Sequence, residues 1–146
     1  MSSDNVAVVR RLYDLFPDLA AGEPPPEVIE LFDPGVRLDQ SRNVFNPAVY
    51  EGIDGVVGAL AAVRETWDSF AMHPERFVEI GDSVVVFNAV TARGAGGGVE
   101  VEDRSSSVHR LRGGRIVALT IYPDPEEGLR AATAATTRQK GDTSPF

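Results

Sequence analysis

Polar and apolar residues alternate with a period of two through most of the last third of the chain. Between Phe77 and Asp124 the alternation forms four segments, separated by Gly81-Asp82, by residues 94–98 and by Gly113-Gly114. Successive side chains of a β-strand point to opposite faces, and glycine-rich pairs are typical of tight turns. The pattern therefore predicts four consecutive antiparallel strands.

Three segments before these strands have apolar residues at spacings of three and four, which is the period of an amphipathic helix. The first helix should begin near Ser3 or Asp4 and end before Pro17, the second should begin at Pro26, and Asp54 should cap the third. The apolar positions are Val6, Val9, Tyr13 and Phe16, then Val28, Leu31 and Phe32, then Val56, Leu60, Val63, Trp67 and Phe70. A short strand is expected at residues 36–39. This order predicts an α+β fold in which helices cover one face of a curved antiparallel sheet and enclose a pocket.

Alternation also assigns side chains to the faces of each strand. In the strand at residues 83–93, Val84, Val86, Asn88 and Val90 share one face, and Phe87 lies on the other. In the next strand, one face carries Asp103, Ser105, Ser107, His109 and Leu111. In the last strand, Ile116, Ala118, Thr120 and Tyr122 oppose Val117, Leu119 and Ile121, so both faces are apolar. Such a strand is covered on both sides, and a second subunit is the simplest cover for the outer face, which predicts a homodimer.

Composition narrows the class of protein. A chain of 146 residues is expected to form one domain, here residues 1–135, followed by a flexible tail at residues 136–146. The net charge of −8 argues against nucleic acid and against an anionic membrane surface as partners. The chain has no cysteine and two histidines, so neither a thiol nucleophile nor a metal site is expected. The polar first residues and the lack of a long apolar run predict a cytoplasmic protein.

Four segments resemble the SnoaL-like proteins of the ketosteroid isomerase and nuclear transport factor superfamily. They are VVRRLYDLF at 8–16, ELFDPGVRLD at 30–39, YEGIDGV at 50–56, and GRIV followed by YPD within 114–124. The resemblance covers about residues 5–130 and implies a conical α+β barrel of the cystatin type, with an inner pocket and usually a dimer. The superfamily includes isomerases, cyclases, epoxide hydrolases, dehydratases and proteins without catalysis, so the resemblance implies the fold more strongly than one activity.

The resemblance also implies roles for single residues. Asp39 stands where ketosteroid isomerase has its catalytic base, and Tyr13 stands near its helix-one tyrosine, but Arg104 occupies the position of its second aspartate. Asp124 stands where SnoaL-type cyclases have an acid/base aspartate, and His109 is similar to the histidine that assists it. Limonene epoxide hydrolase has an Arg-x-Asp where this chain has Asn-Ala-Val at 88–90, which argues against epoxide hydrolysis.

Each candidate also has a purely structural interpretation. Asp39 is either a general base whose pKa is raised by burial or a solvated residue at a strand end. Asp124 is either an acid/base group or the N-cap of a helix that begins at Pro125. His109 is either a proton shuttle in the cavity or a core histidine. The functional interpretation predicts that Asp39 and His109 point into the same cavity, with Asp124 at its rim.

Two functions remain open at this point. The first is a cofactor-independent acid/base enzyme of the isomerase, cyclase or dehydratase type, acting on a small apolar molecule that carries a carbonyl group. The second is a non-catalytic module of the same fold that binds a small ligand or mediates dimerisation. Polar groups that converge on one apolar void favour the enzyme, whereas carboxylates directed to solvent favour the module. The residues expected to contact the ligand are Tyr13, Phe16, Asn46, Tyr50, Trp67, Phe87, Asn88 and Tyr122, and the alternative for the aromatic ones is a place in the core.

Overall fold

The computed structural model describes residues 4–142, and its six strands form one sheet. The elements in chain order are α1 (Asp4–Leu15), α2 (Pro26–Ile29), β1 (Phe32–Asp39), β2 (Val49–Glu51), α3 (Gly52–Thr66), β3 (Trp67–Ile80), β4 (Ser83–Gly94), β5 (Glu100–Arg112), β6 (Arg115–Tyr122) and α4 (Pro125–Asp142). The α+β class, the curved sheet and the three N-terminal helices are those that the sequence predicts.

The strand order in the sheet is β2-β1-β6-β5-β4-β3. The four strands from β3 to β6 pair with their sequence neighbours in antiparallel fashion, as the glycine-rich turns predict. The strand β1 differs from the antiparallel prediction, because it runs parallel to β6 with Leu38 opposite Leu119. Since α3 and four other strands lie between β1 and β6 in the chain, no tight turn constrains this pair to be antiparallel.

The boundary between α3 and β3 lies earlier than the apolar spacing predicts. The helix ends at Thr66, and Trp67 already has the extended backbone angles φ −127° and ψ 140°. Trp67 and Phe70 therefore belong to the strand, where aromatic side chains are favoured. Asp54 is not the cap of this helix, because the N-cap position is Glu51, which makes no side-chain capping bond. Pro74 lies inside β3, which tolerates it because β3 is an edge strand with a register shift at that point.

A β-bulge changes the faces of β6. Arg110 pairs with Ala118 but Leu111 pairs with Ile116, so Val117 is an extra residue in the ladder. Ile116 consequently lies in the buried core, and beyond the bulge Leu119 and Ile121 face the same inner side. The prediction that groups Ile116 with Ala118, Thr120 and Tyr122 is wrong, because simple alternation assumes a regular strand.

The outer face of the sheet is covered in part by α4. This helix packs mainly against β5, with Gly128 directly over Ser106 and Tyr122. A helix thus covers part of the face for which the sequence suggests a second subunit, and the homodimer stays a prediction. The helix continues to Asp142, into the segment predicted to be a flexible tail, and the end of that segment, residues 143–146, lies outside the described residues. Within residues 4–142, no helix combines the length and the apolar character that crossing a bilayer requires.

Candidate functional site

A cavity of about 340 Å³ lies between the inner face of the sheet, the helices α1 and α3, and the loop at residues 40–47. Most of its wall is apolar. The apolar lining residues are Leu12, Phe16, Leu19, Val28, Phe32, Leu38, Val56, Ala59, Leu60, Val63, Trp67, Phe70, Met72, Val90, Ala92, Val101, Leu119 and Ile121, with Val44, Phe45 and Pro123. Its size and lining suit a small, largely apolar molecule.

One strand brings a line of polar side chains into this apolar wall. Asp103, Ser105, Ser107 and His109 occupy alternate positions on β5, and all four line the cavity. Ser105, Ser107 and His109 are buried, whereas Asp103 is exposed to solvent. The face that alternation predicts for this strand is correct, because β5 is regular from Asp103 to His109.

Tyr13 projects from α1 onto the buried end of this polar line. Its ring meets the His109 ring edge-on, with the centroids 5.9 Å apart, and it meets Phe77 in the same manner at 6.2 Å. Burial raises the pKa of Tyr13 to about 12, although hydrogen bonds from Ser107 and Asn88 act in the opposite direction. The phenol therefore keeps its proton at neutral pH and can donate it in a hydrogen bond.

His109 is held as a neutral imidazole. Its Nδ1 lies 3.3 Å from the carbonyl oxygen of Val84, and because a carbonyl only accepts, the proton is assigned to Nδ1. The other ring nitrogen, Nε2, is then an acceptor. Burial lowers the pKa of His109 to about 4, despite opposing hydrogen bonds with the backbone of Val84 and Ser107. The side chain is therefore uncharged at neutral pH.

Asn88 lies behind this polar line, on the neighbouring strand β4. Its Nδ2 donates to Ser107 Oγ at 3.1 Å and to the Val86 carbonyl oxygen at 3.4 Å. Asn88 is buried but does not itself line the cavity. It acts on the cavity through Ser107, to which it donates, and through Tyr13, whose pKa its hydrogen bond lowers.

The loop at residues 40–47 closes one side of the cavity. Gln40 Nε2 donates to the Asn46 carbonyl oxygen at 2.7 Å, and Asn46 Nδ2 donates to Thr66 Oγ1 at 3.0 Å. The first bond links the two ends of the loop, and the second joins the loop to the end of α3. Phe45 packs edge-on against Trp67 at 5.2 Å and is still 55% exposed. The loop thus presents an apolar side chain both to the cavity and to solvent.

The structure places Asp39 outside the cavity. It pairs with Thr120 across the sheet, on the side opposite to Leu38, which does line the cavity. Its carboxylate accepts hydrogen bonds from the backbone nitrogen of Ser41 at 3.0 Å and from the Ser41 hydroxyl at 2.6 Å, and it lies 3.7 Å from Arg42. These bonds hold the pKa of Asp39 below its usual value. The predictions that Asp39 shares a cavity with His109 and that its pKa is raised are therefore wrong, because side-chain alternation turns Asp39 away from the cavity.

Asp124 caps α4. Its Oδ1 accepts a hydrogen bond from the backbone nitrogen of Glu126 at 3.0 Å, and its other oxygen lies 3.7 Å from Arg130. It does not line the cavity. The cap interpretation fits this geometry, and the expected position at the cavity rim does not.

The expected ligand-contacting residues divide into two groups. Tyr13, Phe16, Asn46 and Trp67 line the cavity. Tyr50, Asn88, Phe87 and Tyr122 do not, and the last two lie on the outer face, where Arg76 stacks on Phe87 at 5.5 Å and Arg42 on Tyr122 at 4.8 Å. The sequence analysis did not single out Ser105, Ser107 or Gln40 as site residues. The shared strand face with His109 is the signal that points to the two serines.

No three histidine, aspartate or glutamate side chains among residues 4–142 come together as possible metal ligands. Among the described residues, the polar groups that line the cavity are hydroxyls, the amides of Gln40, Asn43 and Asn46, the His109 imidazole, the exposed carboxylate of Asp103 and the guanidinium of Arg104. This set is suited to hydrogen bonding and to proton transfer.

The chain matches the SnoaL-like domain family from residue 9 to residue 119. Among solved structures it is similar to an NTF2-like protein of unknown function from Burkholderia pseudomallei, with 24% identity, a TM-score of 0.71, and coverage of 90% of this chain and 99% of that one. It is also similar to TerC co-crystallised with polyporic acid, with 18% identity, a TM-score of 0.70, and coverage of 89% and 98%. A third structure, assigned to the SnoaL-like polyketide cyclases of Jannaschia sp. CCS1, has 23% identity, a TM-score of 0.67, and coverage of 90% and 92%. At these identities the similar structures show the fold alone, and no curated protein matches the chain.

Proposed function

Because the chain belongs to the SnoaL-like domain family, whose fold is shared by cofactor-independent isomerases and cyclases, we propose that it is a cofactor-independent acid/base enzyme. Its substrate is a small apolar molecule that carries a carbonyl group. The observation that carries the proposal is the meeting of Tyr13 and His109 at the buried end of an apolar cavity. One of these groups is a protonated donor and the other a neutral acceptor.

The two side chains can together catalyse an enolisation, each in a separate role. The Tyr13 hydroxyl donates a hydrogen bond to the carbonyl oxygen, on which negative charge develops. The Nε2 of His109 takes a proton from the carbon next to the carbonyl, and the electrons of the broken C–H bond form the enolate. The proton then returns to another atom of the same molecule, so the reaction is a rearrangement without net gain or loss of atoms.

The low pKa of His109 fits a transfer within one molecule. An imidazolium in a site that disfavours its charge gives its proton up readily, so the second step is fast. The first step is correspondingly harder, and the hydrogen bond from Tyr13 has to offset that cost by stabilising the enolate. The proposal therefore makes the activity depend on both side chains together.

A binding module without catalysis is the second candidate. It is favoured by the outward orientation of Asp39 and Asp124, because no carboxylate of residues 4–142 then lies at the buried end of the cavity beside Tyr13. In this case Tyr13 and His109 only hydrogen-bond the ligand. The two candidates share the ligand class and differ in whether a proton leaves the ligand.

Deuterium exchange distinguishes the two candidates. The probe is 2-tetralone, a small apolar ketone, and the measurement is the loss of its α-hydrogen signals by proton NMR in D₂O with and without protein. The enzyme proposal predicts faster exchange with the protein, reduced roughly a hundredfold or more by Tyr13→Phe and by His109→Gln. The control is Glu102→Gln, an exposed position on the outer side of β5, which should leave the rate unchanged. Saturable binding of 2-tetralone without accelerated exchange would refute catalysis and support the module.

A further inference from the structure

Ser105 is a second polar position in the cavity wall, apart from Tyr13 and His109, and Asn88 lies behind it. The two residues lie directly opposite each other on β5 and β4, with only 8% and 1% of their surfaces exposed. Ser105 lines the cavity. In the part of the chain that the structure describes, neither the Ser105 hydroxyl nor Asn88 Oδ1 has a hydrogen-bond partner. Because a buried polar atom without a partner costs free energy, this position suits a polar group of a bound molecule.

The chemistry of the free atoms indicates what that group is. Asn88 Nδ2 is directed to Ser107 Oγ and to the Val86 carbonyl oxygen, and since the carbonyl cannot donate, the free amide atom is the oxygen. The next residue on the inner face of β5, nearer to the solvent, is Asp103, and its carboxylate is also an acceptor. The neighbouring Arg104 does not offset this excess of acceptors, because its guanidinium binds Glu75, with Nε 3.0 Å from Oε1. The Ser105 hydroxyl can donate as well as accept, whereas Asn88 Oδ1 and the Asp103 carboxylate only accept, so the complementary ligand group is a hydroxyl, which donates one hydrogen bond and can accept another.

We propose that Ser105, backed by Asn88, binds a hydroxyl group of the ligand. Ser105 and Ser107 occupy successive inward positions of β5, so the groups that they bind lie about 7 Å apart along the strand. The ligand class is then a compact apolar molecule with an oxygen at each end, a carbonyl near Tyr13 and a hydroxyl near Ser105. The carbonyl end rests on the proposed function, whereas the hydroxyl site rests on the geometry of Ser105 and Asn88.

Three related ketones test the hydroxyl site. They are 2-tetralone, 7-hydroxy-2-tetralone and 7-methoxy-2-tetralone, which share the carbonyl and differ only in the substituent on the far ring. Binding is followed by the fluorescence of Trp67, which lines the cavity. The hydroxylated ketone should bind about tenfold more tightly than 2-tetralone, and the methoxy compound, which has no donor, should not. Ser105→Ala should abolish this preference. The control Ser106→Ala, at the adjacent position on the outer face, should keep it.

The possible outcomes test the Ser105 site and the proposed catalysis independently of each other. Equal affinities of the wild type for 2-tetralone and its hydroxylated form would overturn the Ser105 site and leave the carbonyl site intact. A tenfold preference without α-hydrogen exchange would support the Ser105 site and overturn catalysis.

If none of the three ketones binds, the stability of the free protein tests whether the Ser105 hydroxyl has a partner. The Ser105→Ala variant loses a hydroxyl that has no partner, so its urea denaturation midpoint should lie above that of the wild type. A midpoint below the wild type would mean that the hydroxyl is bonded within the folded protein, and this result would overturn the proposal.

Discussion

Replacing Gly128 by alanine tests how closely α4 packs on the outer face of the sheet. A methyl group at this position would overlap the Ser106 hydroxyl oxygen and would lie 3.1 Å from Ser106 Cβ and 3.2 Å from Tyr122 Cδ2. Rotation of the Ser106 hydroxyl can relieve the first contact only. The other two involve a strand side chain at its Cβ and a buried ring, so the helix has to move away from the sheet.

The expected magnitude follows from two opposing terms. Alanine in place of glycine inside a helix stabilises by about 1 kcal/mol, and overpacking a tight contact costs about 1–3 kcal/mol. Because the contacts with Ser106 Cβ at 3.1 Å and Tyr122 Cδ2 at 3.2 Å remain after the hydroxyl has rotated, the cost should lie at the upper end of that range. We expect Gly128→Ala to lower the free energy of unfolding by about 1–2 kcal/mol.

Gly58 provides a matched control. It lies inside α3 and is exposed, and no atom of the described residues lies within 4 Å of the position that a methyl group would take. Gly58→Ala should therefore raise the free energy of unfolding by about 1 kcal/mol. Urea denaturation followed by Trp67 fluorescence measures both variants. A Gly128→Ala protein as stable as Gly58→Ala would refute the packing argument. Partial recovery in the double variant Gly128→Ala with Ser106→Ala would support it.

Three further predictions concern pH, the outward aspartate and assembly. Because the pKa of His109 is about 4 when folded and about 6.5 when unfolded, the unfolded chain binds the proton between these values, and stability should fall by about 3 kcal/mol from pH 6.5 to pH 4. His109→Gln should remove this part of the pH dependence in urea titrations, and an unchanged profile would contradict the burial argument. Asp39→Asn should not alter 2-tetralone exchange, since the Asp39 carboxylate faces away from the cavity. The ionised carboxylate stabilises the folded protein above about pH 4, and this contribution is lost as the pH falls through the lowered pKa of Asp39, so the variant should lack it. Light scattering at micromolar concentration should give twice the chain mass of 15.7 kDa, because the outer face of β6 is only half-buried, and a monomer would contradict the dimer.

The candidate site was predictable where it depends on a regular strand. His109, Ser107 and Ser105 share a face by alternation alone, and β5 is regular over that stretch. Tyr13 and Phe16 follow from the helical spacing of α1 in the same way. The prediction failed for Asp39, because the resemblance supplies a position along the chain but not the face of the strand on which that position lies.

The sequence by itself determined the local elements of this protein. Apolar spacing and Pro17 determine α1, Pro26 determines the start of α2, and period-two alternation with glycine-rich turns determines the strands between Phe77 and Tyr122, because these signals act between residues close in the chain. The tertiary structure decided what depends on distant partners. The bulge in β6 depends on the pairing of β6 with β5. The residue at which α3 ends depends on the pairing of Trp67 with Gly94. The orientation of Asp39 depends on the parallel pairing of β1 with β6. The low pKa of His109 likewise arises only when α1 and the sheet enclose it, since burial is a property of the packed fold.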